Sequence, residues 1–138
     1  MRFILVRHGE TPWNVTGQYQ GQADIPLSEH GRAQAEALGK RFETIHVDEI
    51  FASPLQRAYD TARPISEATG RPIHVVDALK ELDFGQWDGH TKEENAELYG
   101  EAFTNYRIEP FHYPMSGEGT LNKAKLRVGA AIEEIKET

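Results

Sequence analysis

Arg7, His8 and Gly9 stand together directly after the apolar run Phe3-Ile4-Leu5-Val6, and as a set they suit an anion that is both gripped and attacked. A guanidinium offers a planar fork of donors that matches phosphate oxygens. An imidazole is available in its neutral form near pH 7 and can then act as a nucleophile. Gly9 lets the backbone come close to a ligand. The same triplet is also compatible with a strand that simply ends at the surface.

Two further segments carry chemistry. Ser53-Pro54-Leu55-Gln56-Arg57-Ala58 follows the short apolar run Ile50-Phe51-Ala52. It places Arg57 in the first turn of a helix, where free amides and the helix dipole already favour an anion. An arginine there opposes the dipole, which makes it an odd choice for stability alone, although a solvated surface arginine remains an alternative. Leu79-Lys80-Glu81-Leu82-Asp83-Phe84-Gly85-Gln86-Trp87 follows a third apolar run. Glu81, set beside Phe84 and Trp87, is expected to be partly desolvated and to serve as a general acid; a structural pairing with an arginine is the alternative. One nucleophile, two cationic forks and one acid are the parts that phosphoryl transfer needs, because its catalysis is mostly positioning and charge neutralisation. The chemistry expected is transfer of a phosphoryl group to a histidine, followed by attack of water. No metal or other cofactor is required: His30, His46, His74, His90 and His112 show no ligand spacing, and there is no cysteine to support them.

These residues need elements to position them. An apolar strand is expected over residues 2–6, with loop chemistry from Arg7 to Leu27. Ser28 should cap a helix that runs to about Phe42. A second strand covers Ile50–Ala52, and Ser53-Pro54 should begin a helix reaching Thr69 and ending at Gly70. A third strand covers residues 73–76. Residues 91–107 read as helix broken at Gly100, and a last helix from about Thr120 sets Leu121, Ala124, Val128, Ala131, Ile132 and Ile135 on one face. Strand and helix in alternation predict an α/β fold: a parallel sheet in three layers, with helices on both faces. The chemistry-bearing segments then follow strands one, two and three, at the rim where such sheets bind ligands.

Composition narrows the field. With 138 residues, one domain over residues 1–138 is expected. Hydrophobic residues make up 38% and charged residues 27%, and the net charge is −7, which argues against a nucleic-acid or anionic-membrane surface. The absence of cysteine excludes disulfides and thiol chemistry. Without a membrane span or a leader pattern, a cytoplasmic location is the default expectation.

The chain resembles the histidine phosphatase superfamily, the phosphoglycerate mutase-like enzymes. The resemblance runs through Arg7-His8-Gly9-Glu10-Thr11, Trp13-Asn14, Gln20-Gly21, Asp24 with Pro26-Leu27, and Gly31. It continues through Ser53-Pro54-Leu55 with Arg57 and Thr61-Ala62, then Leu79 with Glu81, Phe84-Gly85 and Gly89, and more weakly through Pro114, Gly117-Glu118 and Arg127. It implies a phosphoglycerate mutase-like fold, His8 as the phosphorylated nucleophile and Glu81 as the proton donor. Arg7, Asn14, Arg57, Gln20 and Gly21 would line the phosphate pocket. The stretch Asp83–Gly89 looks more like the small phosphatases, including alpha-ribazole phosphatase, than like the mutases. The implied activity is metal-independent hydrolysis of a small phosphorylated metabolite, with no nucleic acid and no membrane as partner; a homodimer is the assembly considered.

One departure accompanies the resemblance. The family carries a second histidine after a later strand, and the sequence reaches Thr138 before that position. His90 and His112 are poor stand-ins for it. The expectation is a C-terminally incomplete domain that lacks this strand. Mutase activity and a non-catalytic phosphate-binding module remain the alternatives.

Overall fold

The structure, a computed structural model, describes residues 1–138. It is a mixed α/β arrangement of six helices and a small parallel sheet. The chain divides into two compact units, one formed by Met1–Pro12 and Asp24–Lys80, the other by Trp13–Ala23 and Glu81–Thr138.

In the first unit, α2 (Glu29–Phe42) begins at Ser28, whose hydroxyl accepts the Gly31 N–H at 3.0 Å. Its buried face, Gly31, Ala35, Gly39 and Phe42, recurs at helical spacing. Strand β1 (Ile50–Ala52) and strand β2 (Ile73–Val75) pair in parallel, with Ile50 opposite Ile73 and Ala52 opposite Val75. Between them runs α3 (Gln56–Thr69), closed by Gly70 in the left-handed conformation. Helices α2 and α3 pack where Gly39 meets Pro64; a Cβ at Gly39 would lie 2.7 Å from the Pro64 side chain.

Two expectations change here. Ser53 does not cap α3. The N-cap is Leu55, the Ser53 hydroxyl accepts the Leu55 N–H, and the Asp24 carboxylate accepts the Gln56 N–H at 2.8 Å. An acidic side chain from a distant loop thus supplies the acceptor that the first turn needs. The strand expected over residues 2–6 is also absent. That segment has no ladder, and Phe3, Ile4, Leu5 and Val6 are 43%, 44%, 87% and 42% exposed. Apolar composition favours a strand, but a strand exists only through hydrogen bonds to a neighbour, and β1 and β2 pair only with each other.

The second unit is organised around rings. Trp87, Phe103, Tyr106 and Met115 are buried together, with Tyr19, Leu82, Phe84, Tyr99 and Tyr113 packed against them. Trp87 and Phe103 meet edge to face with centroids 5.1 Å apart, and Tyr19 meets Phe84 the same way at 5.0 Å. Helix α1 (Pro12–Thr16), a short element within the stretch expected as loop, leads into Gln18-Tyr19. That pair is bonded to the 89–91 segment: Tyr19 N–H donates to the His90 carbonyl and Gly89 N–H to that of Tyr19. Helix α4 (Lys92–Tyr99) starts with a capping box, Thr91 with Glu94. Gly100 separates α4 from α5 (Glu101–Ile108), at the break read from the sequence. Helix α6 (Leu121–Lys136) follows Thr120 and buries Ala124 and Ala131. No helix is long and apolar enough to cross a membrane.

Candidate active site

The first unit carries Arg7, His8 and Arg57. Arg7 is exposed, His8 half-buried and Gly9 buried. The His8 ring lies with Nδ1 2.6 Å from the Gly9 carbonyl oxygen. A carbonyl can only accept, so this contact requires the proton on Nδ1. It leaves the Nε2 lone pair as the nucleophilic position of the neutral ring.

Polar anchors and close contact hold the backbone beneath this ring. Gly9 N–H donates to the Thr61 hydroxyl at 2.9 Å, and that hydroxyl donates to the Arg57 carbonyl at 2.6 Å. Thr61 is buried, and it ties the residue after His8 to the first turn of α3. On the other side, Glu10 N–H donates to the Gln34 side chain, and Ser28 N–H donates to the Glu10 carbonyl at 2.8 Å. The two chains approach so closely that a Cβ on Gly31 would sit 2.0 Å from the Glu10 carbonyl oxygen. No other residue type fits there.

Arg57 is only 2% exposed. It lies in the first turn of α3, where the sequence placed it. A buried guanidinium needs hydrogen-bonding or charged company, and Arg57 has such a partner within the structure. A cavity of about 370 Å³ in this unit, lined by Phe42–Val47, Ala68, Thr69 and Arg71, contains none of these site residues.

The second unit carries Asn14, Gln20, Gly21 and Glu81. Asn14 lies exposed on α1. Gln20 and Gly21 open a turn in which Gln20 accepts the Ala23 N–H through its carbonyl. Gly21 has φ +48°, and a Cβ there would lie 2.4 Å from the Asp88 carboxylate, so both conformation and space call for glycine. Gln22 then donates to the Glu81 carbonyl at 3.2 Å, which brings the Gln20–Gln22 turn and the Glu81 segment together.

Glu81 itself is exposed, and its carboxylate accepts the Leu82 N–H at 2.8 Å. The desolvation expected from Phe84 and Trp87 is therefore not found. The short helical turn Gly85–Trp87 carries Trp87 into the ring core, and Glu81 lies outside it. The Glu81 charge is still felt within the unit. Burial pushes the Tyr106 hydroxyl above its ordinary pKa, and the neighbouring Tyr19 and Glu81 add to that rise.

Thr61, Glu118 and Arg127 enter the sequence analysis only within the family resemblance, and their holding roles are not read from it. Thr61, Gln22 and Gln34 act only through contacts between distant segments. Glu118 and Arg127 form an ion pair, Arg127 Nε donating to Glu118 Oε1 at 2.5 Å and Nη2 to Oε2 at 3.0 Å. Both residues stand within the family resemblance, as Gly117-Glu118 and Arg127, but nothing in the sequence pairs them. No group of three or more histidine, aspartate or glutamate side chains is arranged to hold a metal ion.

The chain belongs to the histidine phosphatase superfamily (branch 1), whose family model matches residues 3–138. It is 39% identical over 136 residues to phosphoserine phosphatase 1 of Hydrogenobacter thermophilus, covering 99% of this chain and 64% of that protein. It is also 39% identical over 123 residues to the adenosylcobalamin/alpha-ribazole phosphatase of Salmonella typhimurium, covering 86% of this chain and 59% of that one. Among solved structures, the alpha-ribazole phosphatase from Shigella flexneri superimposes with a TM-score of 0.89 at 29% identity, over 96% of this chain and 65% of that one. The chain thus spans roughly three-fifths to two-thirds of the length of these relatives.

Proposed function

We propose that the chain carries the reacting groups of a metal-independent phosphomonoester hydrolase that works through a phosphohistidine on His8. The observation that carries this reading is the 2.6 Å contact between His8 Nδ1 and the Gly9 carbonyl, which commits the neutral ring to attack through Nε2. The phosphatase names of its relatives support hydrolysis as the overall reaction.

In this reading, His8 Nε2 forms a bond to phosphorus as the phosphorus–oxygen ester bond breaks. Arg7 and Arg57 neutralise the charge on the equatorial oxygens, and Asn14, Gln20 and Gly21 complete the phosphate-binding set. Glu81 gives its proton to the departing alcohol oxygen. Ionised, it then takes a proton from the water that attacks the phosphohistidine, releasing phosphate and restoring neutral His8. Ester and water become alcohol and phosphate, and Glu81 ends the cycle as it began. The exposure of Glu81 suits this exchange of protons with alcohol and water. The substrate class is a small phosphorylated metabolite.

The test is phosphate release from p-nitrophenyl phosphate by the chain and by His8→Ala, both with a chelator present. Hydrolysis by the chain that is abolished in His8→Ala supports the reading. Equal hydrolysis by both proteins would refute His8 as the nucleophile.

A further inference from the structure

Glu81 is a residue on a loop, exposed and not packed into the ring core, yet a proton donor must be held within a fraction of an ångström to work. What holds its backbone is therefore a functional question. The stretch that follows Glu81 is fastened to the Gly117-Glu118 turn and to α6. Glu118 N–H donates to the Asp83 carbonyl at 2.8 Å, and Asp83 N–H donates to Glu118 Oε2 at 3.1 Å. Glu118 thus grips both backbone groups of Asp83, two residues beyond Glu81.

The turn has to lie close for this. A Cβ on Gly117 would sit 2.4 Å from the Asp83 carboxylate and 2.5 Å from its carbonyl oxygen. The Glu118 carboxylate is in turn clamped by both arms of the Arg127 fork, from the second turn of α6. Arg127 Nη2 also reaches the Glu81 carbonyl, at 3.5 Å, beside the Gln22 donor.

We infer that the Arg127–Glu118 pair is the positioning device of the proton donor, fixing the Glu81–Asp83 backbone so that the Glu81 carboxyl is presented to the leaving group. This inference rests on the phosphatase reading for the role of Glu81, but the fastening itself does not depend on it. Burial makes the device stiff: Glu118 is 8% exposed, and a bidentate guanidinium–carboxylate pair fixes orientation as well as distance. A lysine at 127 would supply the charge without the fork. Arg127 and Glu118 are positioning residues, since neither is assigned a contact with substrate.

The distinguishing property of a proton donor is its dependence on the leaving group. A nitrophenolate departs without protonation, whereas an alkoxide needs the proton. Arg127→Gln should therefore lower kcat/KM, which covers only the steps up to release of the alcohol and not the later attack of water, by about tenfold on an alkyl phosphomonoester such as glycerol phosphate and leave kcat/KM on p-nitrophenyl phosphate within about twofold. Glu81→Gln should show the same selectivity with a larger loss, and Arg127→Lys should recover part of it. Amide hydrogen exchange at Asp83 should accelerate by about tenfold in Arg127→Gln and stay at the wild-type rate in Lys125→Gln, an exposed change on the same helix.

Equal losses on both substrates, or unchanged exchange at Asp83, would overturn the inference and leave the pair a purely structural one. If Arg127→Gln does not fold, Glu118→Gln serves in its place. It keeps an acceptor for the Asp83 N–H while removing the ion pair, and the same two readouts decide. Absence of hydrolysis that depends on His8 would sink the phosphatase reading alone, and Asp83 exchange would still decide whether the pair fixes this loop.

Discussion

The segment around His8 and the segment around Glu81 are fastened by different physics. His8 stands on a backbone held by neutral hydrogen bonds, from Gly9 to Thr61 and from Glu10 to Gln34, and by the close approach of Gly31. Glu81 stands on a loop held by an ion pair whose carboxylate grips Asp83. Geometry dominates the first. Charge dominates the second. A nucleophile that must aim one lone pair gains from a support that does not titrate, and Thr61 and Gln34 carry no ionisable group. The support of the Glu81 loop, by contrast, depends on pH.

The sharpest way to break this comparison is Gly31→Ala. Its Cβ would meet backbone, not a flexible side chain, so the Glu10 segment must move. A loss of about 3 kcal/mol in urea denaturation is expected, together with loss of turnover. Thr61→Val comes next. It keeps the shape but leaves the buried Gly9 N–H and Arg57 carbonyl without their shared partner, for an expected loss of about 2 kcal/mol by the same measurement.

The third prediction concerns acid. The Arg127 guanidinium, helped by the Asp83 N–H, holds the Glu118 carboxyl below its ordinary value of 4.5 against the opposing effect of burial. A depressed carboxylate contributes stability that is present above the unfolded pKa and lost as pH falls through the folded one. Arg127→Gln should therefore lower stability by about 1 kcal/mol at neutral pH and by less at the lowest pH where the protein stays folded. A urea midpoint series against pH measures this, and a constant difference across the acid range would count against it. The smallest effect belongs to Gln34→Ala, whose bond to Glu10 N–H is exposed to competing water; about 0.5 kcal/mol is expected from the same titration at neutral pH.

What could be read from the sequence was whatever the chain settles locally. Ser28 capping α2, Gly70 closing α3, the break at Gly100 and the start of α6 after Thr120 each follow from a residue and its immediate neighbours. The first turn of α3 went astray because its acceptor, Asp24, lies thirty-two residues away from Gln56. Residues 2–6 went astray for a related reason, since composition cannot supply a ladder partner. At the site, the residue types were legible while their surroundings were not. Arg57 stands in the first turn of α3 as read, whereas His8 follows a segment without a ladder and Glu81 is exposed, the rings beside it turning inward towards Phe103 and Tyr106. The Glu118–Arg127 pair joins a turn to a helix, and only the fold reveals it.

The aromatic core of the second unit also bears on how the protein is made. Tyr19 packs against Phe84 and Phe103, so this unit is assembled from two stretches of chain with residues 24–80 synthesised between them. At a translation rate of about 5–20 residues per second, Tyr19 waits several seconds on the ribosome for its partners. During that interval α2, β1, α3 and β2 all emerge and can pack with one another. The order of synthesis therefore favours the unit that bears His8 as the first to fold, with the ring core that supports the Glu81 loop closing only afterwards.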